Sequence, residues 1–119
     1  MDDAFKIREQ VSNDFLLYSV EDDPKPMDTT GNLIDKLCIV NNKMFWNQDV
    51  LYQIRRMTPE EFIIKYQNNM SELYAILKRC TDLNAQRARL MDEIDQKLIA
   101  ALKGEIKLDS LSSPQHKTY

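Results

Sequence analysis

Arg55-Arg56-Met57-Thr58-Pro59-Glu60-Glu61-Phe62 is the stretch on which the fold turns. Thr58 can accept from the backbone N–H of Glu61 while Glu61 reaches back, the reciprocal pairing of a capping box. Pro59 suits the first helical position, where its missing N–H costs nothing. Just before it, Arg55 and Arg56 place two cations where the negative end of a preceding helix dipole would lie. One helix therefore stops near residue 57 and another starts at 59. So short a connection makes the two helices antiparallel neighbours.

Upstream, Leu33, Leu37, Val40, Met44, Asn47, Leu51 and Ile54 recur in steps of four and three. That is the heptad period that keeps one seam against a neighbouring helix. Asp28, Thr29 and Thr30 are the candidate caps at its start. Downstream, the stripe continues through Ile63, Tyr66, Met70, Leu73, Leu77, Cys80, Asn84, Arg87, Met91, Ile94, Leu98 and Ala101, with no proline or glycine before Gly104. A further helix is expected over residues 3–18, where Ala4, Ile7, Val11, Phe15 and Tyr18 share one face. The acidic, proline-containing Glu21-Asp22-Asp23-Pro24-Lys25-Pro26 then breaks it. The fold class expected is all-α: a long antiparallel hairpin (about 30–57 and 59–103) plus the N-terminal helix, as a three-helix bundle or coiled-coil-like assembly. Residues 1–104 read as a single domain and 105–119 as a flexible tail.

Whole-chain properties narrow the function. The 119 residues carry a formal net charge of −3 and a pI near 5.1, which gives no general attraction to nucleic acid or anionic membrane. No uncharged apolar run approaches the roughly 20 residues needed to span a bilayer. The start, Met1-Asp2-Asp3, lacks the basic and apolar regions of a signal peptide, so an intracellular, cytoplasmic location is expected, in a cellular or a virus-infected host. Cys38 and Cys80 fall on expected apolar faces and read as buried free thiols. His116, the one histidine, has no cysteine cluster beside it, and neither Asp92, Glu93 and Asp95 nor Glu60-Glu61 makes the convergent pairs a divalent cation needs. No metal or cofactor is expected. Serines without a histidine partner and thiols on apolar faces supply no nucleophile–base pair.

Pairing across a turn at Met57-Thr58 matches residues whose numbers add to about 115, given equal rise on both helices. Leu37 would then meet Leu77, Leu51 would meet Ile64, and Leu33 would lie level with Asp82. The last helix would continue past its mate for roughly five turns. Leaving Leu90, Met91, Ile94, Leu98 and Leu102 bare would cost on the order of 1.5–3 kcal/mol per large side chain, so a partner surface is expected there. A line at Phe62, Ile76, Leu83 and Leu90 widens this apolar face. The interface residues expected are Ile76, Leu83, Leu90, Met91, Ile94, Leu98 and Leu102.

Asn47, Asn84 and Arg87 interrupt the seam. One reading is register control by a polar residue. Another is a polar inter-helix site for an anion or small ligand, formed by Asp35, Lys36, Asn84 and Arg87, with the guanidinium as a bidentate donor, and a third is simple exposure at a helix edge. Lys78-Arg79 reads as an ordinary surface cation pair.

Gly31-Asn32-Leu33-Ile34-Asp35-Lys36-Leu37-Cys38-Ile39 resembles the Gly-x-Leu-Ile-Asp-Lys-Leu-x-Ile opening of small bacterial and phage all-helical families of unknown function. Asp82-Leu83-Asn84-x-Gln86-Arg87-x-x-Leu90-x-x-x-Ile94-Asp95 resembles the closing helix of one of them. The resemblance implies a helical fold and no particular activity. Residues 89–99 also look like the first helix of helical chorismate mutases, but those enzymes need two further helices with cationic ligands. The function expected is a non-enzymatic helical assembly or protein-interaction role, by self-association or with a protein partner. The alternatives are a small helical enzyme or ligand-binding domain using the polar site, and a viral accessory or virion component.

Overall fold

The computed structural model describes residues 15–104. Within them the protein is all-α: a 3-10 turn at Val20–Asp22, then α1 (Thr30–Arg56), α2 (Pro59–Tyr66) and α3 (Met70–Leu102), with no strand among the described residues. Of the helix expected over 3–18, only 15–18 are described, and they form a turn and bend rather than helix. The tail, 105–119, lies outside the described residues.

Local chemistry accounts for each boundary. Thr29 Oγ1 accepts from the Asn32 N–H at 3.1 Å and caps α1. The capping box at Thr58 forms as read, with both the Glu61 N–H and the Thr58 N–H bonded across at 3.2 Å and Pro59 opening α2. Gly104, at φ +76°, takes the left-handed position just past α3, and its N–H donates to Ala101 O at 3.1 Å.

The helix expected over 59–103 is divided. α2 stops at Tyr66, Gln67 closes it by donating its N–H to Ile63 O, and α3 begins at Met70. Gln67-Asn68-Asn69 carries the reason: asparagine amides compete with the helix for backbone partners. The Asn69 carbonyl accepts the first bonds of α3 from Glu72 and Leu73, and the Asn69 amide donates to the Glu72 carboxylate.

The chain forms two compact units. Among the described residues, the first joins 15–18 with Asn42–Asn84. Its buried side chains are Lys43, Asn47, Tyr66, Ile76 and Leu83, and the Phe62 ring lies 5.1 Å from that of Tyr66. The second joins Ser19–Asn41 with 85–104, around Leu33, Val40, Gln86, Leu90 and the buried carboxylate of Asp28.

The helix pairing differs from the one expected. In the second unit Asn41 Oδ1 accepts from Arg87 Nε at 2.8 Å, whereas numbers adding to about 115 would have put Tyr74 opposite Asn41. In the first unit Leu51 shares a cleft with Cys80 and Leu83, and its expected partner Ile64 is 72% exposed. The displacement is about thirteen residues, roughly 20 Å along a helix. It arises because the whole stretch 57–69, including α2, serves as the connection, so pairing begins well beyond Thr58.

This removes the overhang. Counting eight residues back from Asn41 and eight on from Arg87 brings Leu33 level with about Asp95, and α3 outruns α1 by about one turn rather than five. The buried line on α3 is Ile76, Leu83 and Leu90, the line expected only to widen the seam. The heptad line Met70, Leu77 and, in the second unit, Met91 and Leu98 faces solvent. Cys38, expected to be buried, is exposed. It sits five residues after buried Leu33, about 140° around the helix from it.

Candidate functional site

Side-chain polar groups buried in each unit grip the irregular chain that precedes α1. In the first unit Asn47, 2% exposed, donates through Nδ2 to Leu16 O at 3.0 Å and to Lys43 O at 2.8 Å. Lys43 Nζ donates to Leu17 O at 3.0 Å and lies 6.0 Å from the centre of the Phe15 ring. A buried ammonium needs such acceptors, because burial without them costs several kcal/mol on the order of an uncompensated charge. Asn47 therefore serves main-chain carbonyls, a role that neither register control nor ligand binding anticipated.

In the second unit Gln86, fully buried, donates through Nε2 to Ser19 O at 2.8 Å and to Asp23 Oδ1 at 2.9 Å. Arg89 reaches the same Asp23 oxygen at 3.0 Å. Lys36 Nζ spans Asp23 O at 2.9 Å and Asp28 Oδ2 at 2.6 Å, and Asp28 Oδ2 also accepts the Lys25 N–H at 2.8 Å. Burial opposes ionisation of Asp28, but the bonds from Lys36 and Lys25 and their positive charges outweigh it, so its carboxyl sits below the ordinary 3.8. The sequence reads Asp28 as a candidate cap and Gln86 as a neighbour of the polar site, and neither reading anticipates a bond to the chain before α1. The available signal was an acid three residues after Lys25, placed so that its side chain reaches back to the Lys25 N–H as the third-position acid of a capping box does.

The four residues expected to form a polar ligand site divide between the two units. Lys36 is committed to Asp28 and Asp23, Arg87 to Asn41, and Asp35 is exposed, all in the second unit. Asn84 belongs to the first unit and is exposed at the edge of a cleft. Of the expected interface residues, Ile76, Leu83 and Leu90 are internal, Ile94 is half-buried, and Met91, Leu98 and Leu102 are 39%, 43% and 89% exposed.

Two apolar features stand out among the described residues. One is the exposed apolar line of α3 in the second unit. The other, in the first unit, is a cleft of about 270 Å³ between α1 and α3, with Met44, Leu51, Cys80 and Leu83 among its walls and Asn47 set into it. Burial pushes the Cys80 thiol up, against a weaker opposing effect of Arg79, so the thiol is neutral at pH 7. No group of three or more His, Cys, Asp or Glu side chains converges on a point among the described residues. No helix among the described residues is long and apolar enough to cross a membrane. Compared with protein-family models, curated proteins and solved structures, the chain matches none, so the functional reading rests on its own residues.

Proposed function

We propose that this protein is a non-enzymatic assembly protein that pairs with a second copy through the solvent-facing side of α3 in the second unit. Met91, Ile94, Leu98 and Leu102 follow one another at spacings of three, four and four, the period of a helix seam. The observation that carries the reading is their exposure: three of the four face water, while the buried apolar side chains described in the second unit are Leu33, Val40 and Leu90. Ile99, half exposed beside them, adds to the same patch. A second copy offers a strip of identical period, and burying such a strip against itself removes apolar surface from water on both chains at about 25 cal/mol per Å².

Sedimentation equilibrium over a wide concentration range tests the proposal. The natural chain should shift from monomer towards dimer as concentration rises. Leu98→Glu should remain monomeric with an unchanged melting temperature in dilute solution, because Leu98 lies outside the core. A natural chain that stays monomeric at millimolar concentration overturns the proposal.

A further inference from the structure

We infer that a second cavity of the first unit, between α1, α2 and α3, binds a small organic carboxylate, a single negative charge on an apolar body. The inference is independent of association through the second unit. Tyr66 carries it. Its side chain is 2% exposed and lines the cavity, and its hydroxyl makes no hydrogen bond among the described residues. The enclosed, unbonded side-chain atoms of the described residues do not include the Tyr66 oxygen, so the hydroxyl keeps a little surface, and that surface opens on the cavity. Burial, and after it the negative charge of Glu72, pushes the phenol up from the ordinary 10.0, so at pH 7 it is a neutral donor. A polar group set into an apolar interior with nothing to bond selects a ligand that bonds it.

The neighbouring side chains set the charge of the ligand. Lys65 and Arg79 also line the cavity, and neither has a side-chain hydrogen bond or ion pair among the described residues. Lys65 Nζ lies 5.6 Å from the centre of the Tyr66 ring. Arg79, read from the sequence as half of a surface cation pair, is half-buried. Its Nε is enclosed and beyond a ligand's reach, so what it offers is the outer edge of the guanidinium, whose two terminal nitrogens match the two oxygens of a carboxylate. The one acid on the lining, Glu72, accepts from the Asn69 amide. Two cations against one carboxylate leave an excess of one positive charge, which a monoanion balances and a dianion such as phosphate exceeds. Val50, Ala75 and Ile76 form an apolar wall for the body of the ligand, and about 400 Å³ falls in the usual range for small-molecule sites.

Benzoate, benzamide and inorganic phosphate separate the alternatives at neutral pH. Two-dimensional NMR titration of the full chain should show saturable shifts of the Tyr66, Ala75 and Arg79 amides with benzoate. Benzamide, of the same shape without the charge, and inorganic phosphate should each bind about tenfold more weakly. Tyr66→Phe keeps the buried ring and should weaken benzoate binding by about three- to tenfold, the worth of one hydrogen bond. Lys65→Gln, at an exposed position that leaves the core untouched, should weaken it by a similar factor. Absence of saturable shifts with benzoate, equal affinity for benzamide or phosphate, or undiminished benzoate affinity in folded Tyr66→Phe or Lys65→Gln would each overturn the inference.

Discussion

Arg87 Nε donates to Asn41 Oδ1 across 2.8 Å, and this one bond identifies which turn of α3 faces which turn of α1. Arg87 had been read as a seam residue or an anion ligand, yet it is half-buried and holds a neighbouring side-chain amide. A partly exposed bond of this kind contributes about 0.5–1.5 kcal/mol. Arg87→Ala should therefore lower stability by no more than about that amount in urea unfolding, and added anions should change the melting temperature equally in both chains.

Leu90 and Met91 are adjacent in sequence and opposite in consequence. Leu90 is fully buried, so Leu90→Ala should cost about 2–5 kcal/mol through lost burial and the cavity left behind. Met91→Ala should change the stability of dilute protein by less than about 0.5 kcal/mol. Paired denaturant melts measure both, and equal losses would show that the face of α3 turned towards the core has been misjudged.

Stability should also depend on the charge of Asp28. Its folded carboxyl titrates below the ordinary 3.8, so the folded chain holds the carboxylate more tightly than the unfolded chain does. The resulting stabilisation is fully present above the unfolded value and disappears as pH falls through the lower, folded one. Asp28→Asn should thus be less stable than the natural chain at pH 7, and the gap should narrow as acid is added below about pH 4. A gap that stays constant down to pH 2 would remove the Lys36–Asp28 pair as its cause.

Gln86→Ala should cost about 1–3 kcal/mol, because Ser19 O loses its buried donor. Hydrogen exchange would locate the loss in 19–29 as well as in α3, which a simple packing defect on α3 would not do.

Much of the fold was legible because its signals are local. The Thr58–Glu61 box and the caps around Thr29 and Gly104 act within a few residues, and each formed where the residue types placed it. The break at 67–69 had a local signal too, Asn69 followed three residues later by Glu72, but a continuous apolar period concealed it. That period fits several faces of one helix: Ile76, Leu83 and Leu90 share the seven-residue spacing of Met70, Leu77, Asn84 and Met91, and only the partner helix decides which line is inside. The register followed from the break, since treating 59–66 as paired helix displaced every later residue. The polar clamps were illegible for another reason. Their acceptors are backbone carbonyls at Leu16, Leu17 and Ser19, which no side-chain pattern announces.

Those clamps tie the fate of the helices to a segment that contributes almost no regular structure of its own. Severing the peptide between Ser19 and Thr29 would detach from α1 the stretch that carries the Leu16, Leu17 and Ser19 carbonyls, the acceptors of the Asn47 amide, the Lys43 ammonium and the Gln86 amide. A protease that nicks this stretch would therefore act on the helices behind it, loosening them from within instead of trimming an ornament. Susceptibility of the segment before α1 to cleavage is, for this molecule, a gauge of how firmly its interior is closed.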